Sequence, residues 1–189
     1  MFFKYFNILI ISILINGCGI KPNLNQLNLV MSGDPKSLDP AHATDVKTGQ
    51  LCALLYDNLV HFGNGSEILP GLSKSWDISK DGLEYSFQLK DSVFFQNGKK
   101  FSCHHVKNSF ERILDKETNS HRKWLFKNVK GALSFSTGNI NSVDGFSCVD
   151  NRNFKIILNK PFTPFLGFLA MPSASIIDET EDGIIGTGP

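Results

Sequence analysis

Ser102-Cys103-His104-His105-Val106 sets a thiol and two imidazoles side by side, residue types that ligate transition metals or supply a nucleophile and its base. The spacing argues against a metal. Neighbouring helical residues point in different directions, so Cys103, His104 and His105 cannot easily share one ion, and no second pair is placed to close a tetrahedral shell. A helix N-terminus disfavours a cation, so solvated, largely neutral imidazoles and no metal are expected here. Hydrolytic and nucleotide-binding patterns are missing too: the chain has no G-x-S-x-G, no H-E-x-x-H and no phosphate-binding glycine loop. Asp144, Asp150, Glu179, Glu181 and Asp182 fall in segments that read as turns and loops, where charge is merely solvated. The expectation is a protein that is not an enzyme and needs no cofactor.

A fourth cysteine carries a different chemistry. Met1 to Gly19 has one early Lys4, an apolar stretch from about Tyr5 to Ile15 and a small-residue end, the layout of a secretory signal. The run is short of the roughly 20 apolar residues that a spanning helix needs. Its end, Ile15-Asn16-Gly17-Cys18, resembles a bacterial lipobox, in which cleavage before the cysteine exposes a thiol and an amine for acylation. Residues 1–17 are therefore expected to be a signal peptide, Cys18 the site of lipid attachment and residues 18–26 a polar tether. Two or three acyl chains on one residue anchor stably, because each buried CH₂ contributes about 0.8 kcal/mol. This leaves Cys52, Cys103 and Cys148. They form no C-x-x-C and no compact framework, and a domain of this size does not depend on bridges, so all three are expected to be buried and free.

The 189 residues are 41% hydrophobic and 20% charged, enough for one domain or slightly more with a real core. Lys and Arg number 19 against 18 Asp and Glu, a net charge of +1, so no field of one sign points to nucleic acid. The 16 Phe residues read mostly as core.

The elements that must hold any site follow from periodicity. Leu27, Leu29 and Met31 alternate with Asn28, which predicts a short strand, and Asp34-Pro35 with Asp39-Pro40 predicts an ordered loop after it. A helix is expected from near Asp45 or Thr48, with Leu51, Leu54, Leu55 and Leu59 as its buried stripe. Lys80-Asp81-Gly82 reads as a turn. Leu83, Tyr85, Phe87 and Leu89 then alternate with Glu84, Ser86, Gln88 and Lys90 as an amphipathic strand. Asn97-Gly98 predicts a hairpin turn, and Ser102 caps a helix carrying Val106, Phe110, Ile113 and Leu114. Trp124, Leu125, Phe126, Leu133 and Phe135 are expected to be buried. Strands are expected at Phe146 to Cys148 and Phe154 to Leu158, and a short helix with Thr163 as cap and Pro164 at its first position, before extended chain to Pro189. Strands and helices intermix without a βαβ repeat, which favours an α+β fold.

The succession SGDPKSLDP, LYDNLVHF, LPGLSKSWDISKDGLEYSFQLKDSVFFQNGKKF, VDGFSCVDNRNFKIILNKPFTPFLGFLAMP and GTGP resembles solute-binding protein family 5, nearly throughout from Leu27 onward. The family comprises extracytoplasmic oligopeptide-, dipeptide- and nickel-binding proteins of ABC importers. The resemblance implies a periplasmic-binding-protein-like fold of class II, oligopeptide-binding type, in which two lobes close on a ligand beside a smaller extra domain. It assigns 27–55 to lobe one, 56–177 to the extra domain and 178–189 to a return into lobe one. Family members continue well past GTGP, so the chain reads as the truncated N-terminal portion of a longer protein.

The implied function is capture of oligopeptides or dipeptides for permease subunits of an importer, outside the cytoplasmic membrane of a bacterial cell envelope, with the lipid anchor as membrane contact. The alternative is a lipoprotein remnant of an interrupted gene, acting at most as a surface interaction module. The loop after Leu38-Asp39-Pro40 lies at the cleft edge in the family, which makes Thr44, Asp45 and Val46 the ligand-binding candidates; Thr44 or Asp45 equally suits a helix N-cap. Where the family often brings an aromatic near the peptide, this chain has His121, Arg122 and Trp124. Ser-Cys-His-His-Val replaces a common Thr-Ala-acid-Asp-Val, and the nickel-binding branch gains nothing from it.

Overall fold

Tyr85, Phe87 and Leu89 are almost completely buried while Gln88 between them is exposed, so the alternation read from the sequence is a real two-faced strand. This is β4 (Glu84–Leu89), the centre of the main sheet in a computed structural model that describes residues 29–181 and 183–188. The expected signal peptide, Cys18, the tether and Leu27-Asn28 lie outside the described residues. Leu29 and Met31 belong to no strand, which departs from the expectation.

Strand β4 pairs antiparallel with β3 (Ser73–Ile78) on one side and with β6 (Asn153–Ile157) on the other, and β5 (Phe146–Cys148) closes the far edge, in the order β3-β4-β6-β5. Phe87 sits opposite both Trp76 and Phe154, and Tyr85 opposite Ile156, so apolar partners stack on one face. Two small antiparallel pairs flank this sheet: β1 (Val60–Phe62) with β2 (Ile68–Pro70), and β7 (Asp178–Thr180) with β8 (Gly183–Ile185). The first pair went unrecognised, because three-residue strands offer too little alternation to read. With four α-helices among the strands of the described residues, the expected α+β class holds.

Four helices follow the same logic less evenly. Helix α2 (Cys103–Leu114) buries Val106, Phe110, Ile113 and Leu114 as its spacing predicts; the Phe110 ring lies 4.7 Å from Phe126 and 5.9 Å from Phe154. Helix α1 (Val46–Leu55) behaves otherwise. It buries Thr48 and Cys52 and leaves Leu54 exposed, while Leu59 is buried beyond the helix end in the run to β1. The leucine spacing mixed two elements. Short helices α3 (Ala132–Ser136) and α4 (Phe165–Leu169) complete the set. Pro164 is the N-cap of α4, with no side-chain cap from Thr163, against expectation. Leu125 and Phe126 are buried as expected and Phe135 partly so, but Trp124 and Leu133 reach solvent.

Cysteine chemistry needs a second correction. Cys103 and Cys148 form a disulfide, with Cα atoms 5.8 Å apart. The first turn of α2 packs against the sheet end that carries β5, a meeting of residues 45 apart that spacing alone cannot show. Cys52 is free and buried, as expected. Burial and the carboxylates of Asp39 and Asp45 push its thiol up to about 11, so it stays protonated at neutral pH.

The Gly-Thr-Gly run after β8 has a steric cause. A Cβ at Gly186 would lie 2.0 Å from the Leu55 carbonyl oxygen, and one at Gly188 would lie 2.5 Å from that of Leu54. Gln96 fastens the same run: its backbone N–H donates to Gly186 O at 3.0 Å and its side-chain amide to Gly188 O at 3.1 Å.

Candidate functional site

Residues 38–45 form a loop whose carbonyls are held from several directions. Asp39 starts a one-turn 3-10 helix, Pro40–His42, by accepting the Ala41 N–H at 2.9 Å. Its carboxylate also takes both terminal nitrogens of Arg112 from α2, at 2.9 and 2.7 Å. Ser120 Oγ donates to Ala41 O, and Tyr56 donates its hydroxyl to Leu38 O at 3.0 Å. Ala43 O accepts three bonds: from Arg122 Nε at 2.9 Å, from Arg122 Nη2 at 2.7 Å and from Ser173 Oγ at 3.1 Å. A loop so anchored presents its next residues in one geometry.

Those next residues are the candidates. Asp45 is the N-cap of α1: its Oδ1 accepts the Thr48 N–H at 3.0 Å and its Oδ2 the Thr48 hydroxyl at 2.9 Å. The Thr48 N–H and then the Thr48 hydroxyl hold the Asp45 carboxyl below its usual range. Capping therefore occupies Asp45, whereas Thr44 and Val46 are exposed, and the Thr44 hydroxyl has no hydrogen-bond partner among the described residues. All three line an open cavity of about 460 Å³ together with Gln50, Arg122 and Met171. That volume lies within the range of small-molecule sites.

The segment after α2 divides. Arg122 lines the cavity, His121 is exposed at the surface, and Trp124 stacks edge-on against Phe168 at 5.0 Å. Arg112, Ser120 and Ser173, which hold the loop, escaped the sequence reading. Each meets its partner across 73 to 130 residues, and lone serines and arginines carry no periodic signal.

His104 and His105 part company as well. His104 is exposed. His105 is largely buried, with its side chain 12% accessible, which overturns the expectation of two solvated imidazoles. Its Nδ1 accepts the Ser102 N–H at 3.1 Å, completing a capping box in which histidine takes the place of glutamate. Nε2 faces Asp178 at 3.6 Å, and the ring stacks on Phe95 with centroids 4.8 Å apart. Burial depresses the imidazole below its ordinary range, with Asp178 opposing that shift and Lys99 adding to it. Glu179, expected in a loop, is on β7 and binds Arg112 Nε. Among the described residues no group of three His, Cys, Asp or Glu converges as a metal site would require.

An antiparallel four-stranded sheet with α2 packed on it, a separate strand pair after it, and a fixed loop beside an open cavity define part of a periplasmic oligopeptide-binding fold. The Escherichia coli murein tripeptide binding protein superposes with a TM-score of 0.76 at 26% identity, over 84% of this chain and 33% of that one. A periplasmic oligopeptide-binding protein of Borrelia burgdorferi superposes at 0.75 and 26% identity, over 82% and 34%. Residues 67–189 match the model for bacterial extracellular solute-binding proteins, family 5, and the chain belongs to that family. Di/tripeptide-binding protein 2 of Pseudomonas aeruginosa is 32% identical over 177 residues, which covers 82% of this chain and 33% of the relative. The chain thus spans about a third of the length of the relatives it matches.

Proposed function

We propose that the protein acts as the extracytoplasmic substrate-binding component of an ABC peptide importer, with di- or oligopeptides as ligands and permease subunits as partners. The observation that carries this reading is the anchored loop of residues 38–45, which delivers Thr44 and Val46 to an open cavity in a chain of this family. Extended ligands are bound through main-chain hydrogen bonds and side-chain pockets, and both need a fixed, exposed stretch of receptor backbone. The lipobox-like Ile15-Asn16-Gly17-Cys18 supports attachment to the membrane through acylated Cys18. A cysteine bridge supports an oxidising compartment, where such bonds persist.

Isothermal titration of the full-length product of the gene with a mixed di- and tripeptide library tests the reading. Saturable heat at micromolar peptide is expected, lost in a Val46→Arg variant that melts like the wild type. Absence of binding by the full-length wild type favours the non-transporting remnant instead.

A further inference from the structure

The cavity beside Thr44 holds one charged side chain whose hydrogen-bonding capacity is only partly used. Asp45 spends both carboxylate oxygens on Thr48, and Ser173 spends its hydroxyl proton on Ala43 O. Arg122 differs. A guanidinium carries five N–H donors in a planar fork, and Arg122 commits only Nε and one donor of Nη2, both to Ala43 O. Its Nη1 has no partner among the described residues, while the side chain lines the cavity. The double bond to Ala43 O fixes the plane of the fork, and Ser173 braces the same oxygen from the opposite part of the chain. The open edge is thereby held in place before any ligand arrives. A prepositioned guanidinium edge pairs best with a carboxylate. Val46, Ala53, Met171 and Pro172 make much of the remaining lining apolar, Thr44, Gln50 and Ser173 are its uncharged polar members, and Asp45, already occupied by Thr48, is its one anion.

We propose that Arg122 is a specificity-determining residue that receives a carboxylate of the bound peptide, supplied by its C-terminus or by an acidic side chain. This rests on the peptide-binding reading above. A neutral side chain at that place in the ligand leaves the guanidinium edge hydrated; an anionic one replaces its water with a charge-assisted pair.

The test uses the full-length gene product and three probes: Ala-Ala-Ala, Ala-Ala-Ala amide and Ala-Glu-Ala amide, each titrated calorimetrically. At least one carboxylate-bearing probe is expected to bind about tenfold more tightly than the neutral amide, and which one does so identifies the source of the carboxylate. Because Arg122 also holds Ala43, Arg122→Gln weakens every probe, so the readout is the ratio between carboxylate and amide probes, from which that common loss cancels. The ratio is expected to fall to within about twofold in Arg122→Gln. Arg122→Lys keeps the charge but loses the fork, and should lower the ratio severalfold, which keeps the test alive if the Gln variant fails to fold. A wild-type ratio near one, or a ratio unchanged by either substitution, overturns the proposal while leaving peptide binding intact. A wild type that binds none of the three overturns both.

Discussion

Arg112 of α2 closes a two-bond fork on Asp39 while its Nε binds Glu179 of β7, so one guanidinium ties the site loop to the strand that returns after the sheet. Arg112 and Asp39 are each about one-sixth accessible. Burial opposes the charge on Arg112, yet Asp39 and Glu179 hold its pKa above the usual value. Removing one member of such a pair leaves a charge without compensation, which costs about 3–5 kcal/mol. Arg112→Ala should therefore lose about that much in urea unfolding. The exposed Lys74–Asp91 pair is the comparison, and Lys74→Ala should cost no more than about 1 kcal/mol. Equal losses in the two variants would show that the fork does not hold the loop.

The Cys103–Cys148 bridge predicts a second loss. It closes a loop of 45 residues, for which chain entropy gives about 4 kcal/mol. Reduction, or joint Cys103→Ser and Cys148→Ser substitution, should lower the unfolding free energy by about that amount, measured against urea with and without reductant. Thiol titration of the denatured, unreduced protein should find Cys52 reactive and Cys103 and Cys148 silent.

Strand β4 gives a third prediction. Phe87 is 1% accessible between Trp76 and Phe154, whereas Gln88 beside it is exposed. Phe87→Ala should cost about 3–5 kcal/mol and Gln88→Ala almost nothing in a chemical melt. Similar midpoints for both would place the strand in another register.

That strand also shows what the sequence discloses. Strict alternation at Leu83 to Leu89 and helical spacing at Val106 to Leu114 were legible because one buried face imposes its period on the chain. In α1 the buried face is carried by Thr48 and Cys52, since the helix packs on a small separate apolar cluster with Ala43, Tyr56 and Ile177 rather than on the main core, and the leucine spacing does not report that face. The loop candidates Thr44, Asp45 and Val46 came from resemblance, and they do line one cavity. Its anchors, Arg112, Ser120, Arg122 and Ser173, were illegible as anchors because each bond joins residues more than seventy positions apart.

Anchoring at Cys18 predicts a covalent lipid. Cells fed a clickable palmitate should label the wild type and not Cys18→Ser, and the variant should move from the membrane fraction to the soluble one. Equal labelling of the two would remove the anchor from the proposed function.

His105 makes folding sensitive to acid. Its imidazole is buried, Nδ1 must stay unprotonated to accept the Ser102 N–H, and Lys99 sits across Asp178 at 2.7 Å from the same carboxylate. Asp178 is itself nearly inaccessible; burial pushes its carboxyl up, but bonds from Lys99 and Asn97 bring it below the usual range. The two groups act in separate pH windows. A histidine whose pKa is lower folded than unfolded stabilises the neutral form, so that stability is complete above the unfolded value near 6.5 and falls as the pH drops below it. The Asp178 contribution is complete above the unfolded value near 3.9 and is lost only at lower pH. The remaining charges near the ring are Lys99 and His104, and both oppose an imidazolium. His105→Gln separates the two windows, because glutamine at this position completes a capping box without titrating. Melting temperatures of the wild type should decline between about pH 7 and 5, while those of His105→Gln stay level over that interval, and both should fall together below about pH 4. A wild type as insensitive as His105→Gln between pH 7 and 5 would mean that Asp178 compensates the imidazolium fully and that His105 is no acid-sensitive element of the fold.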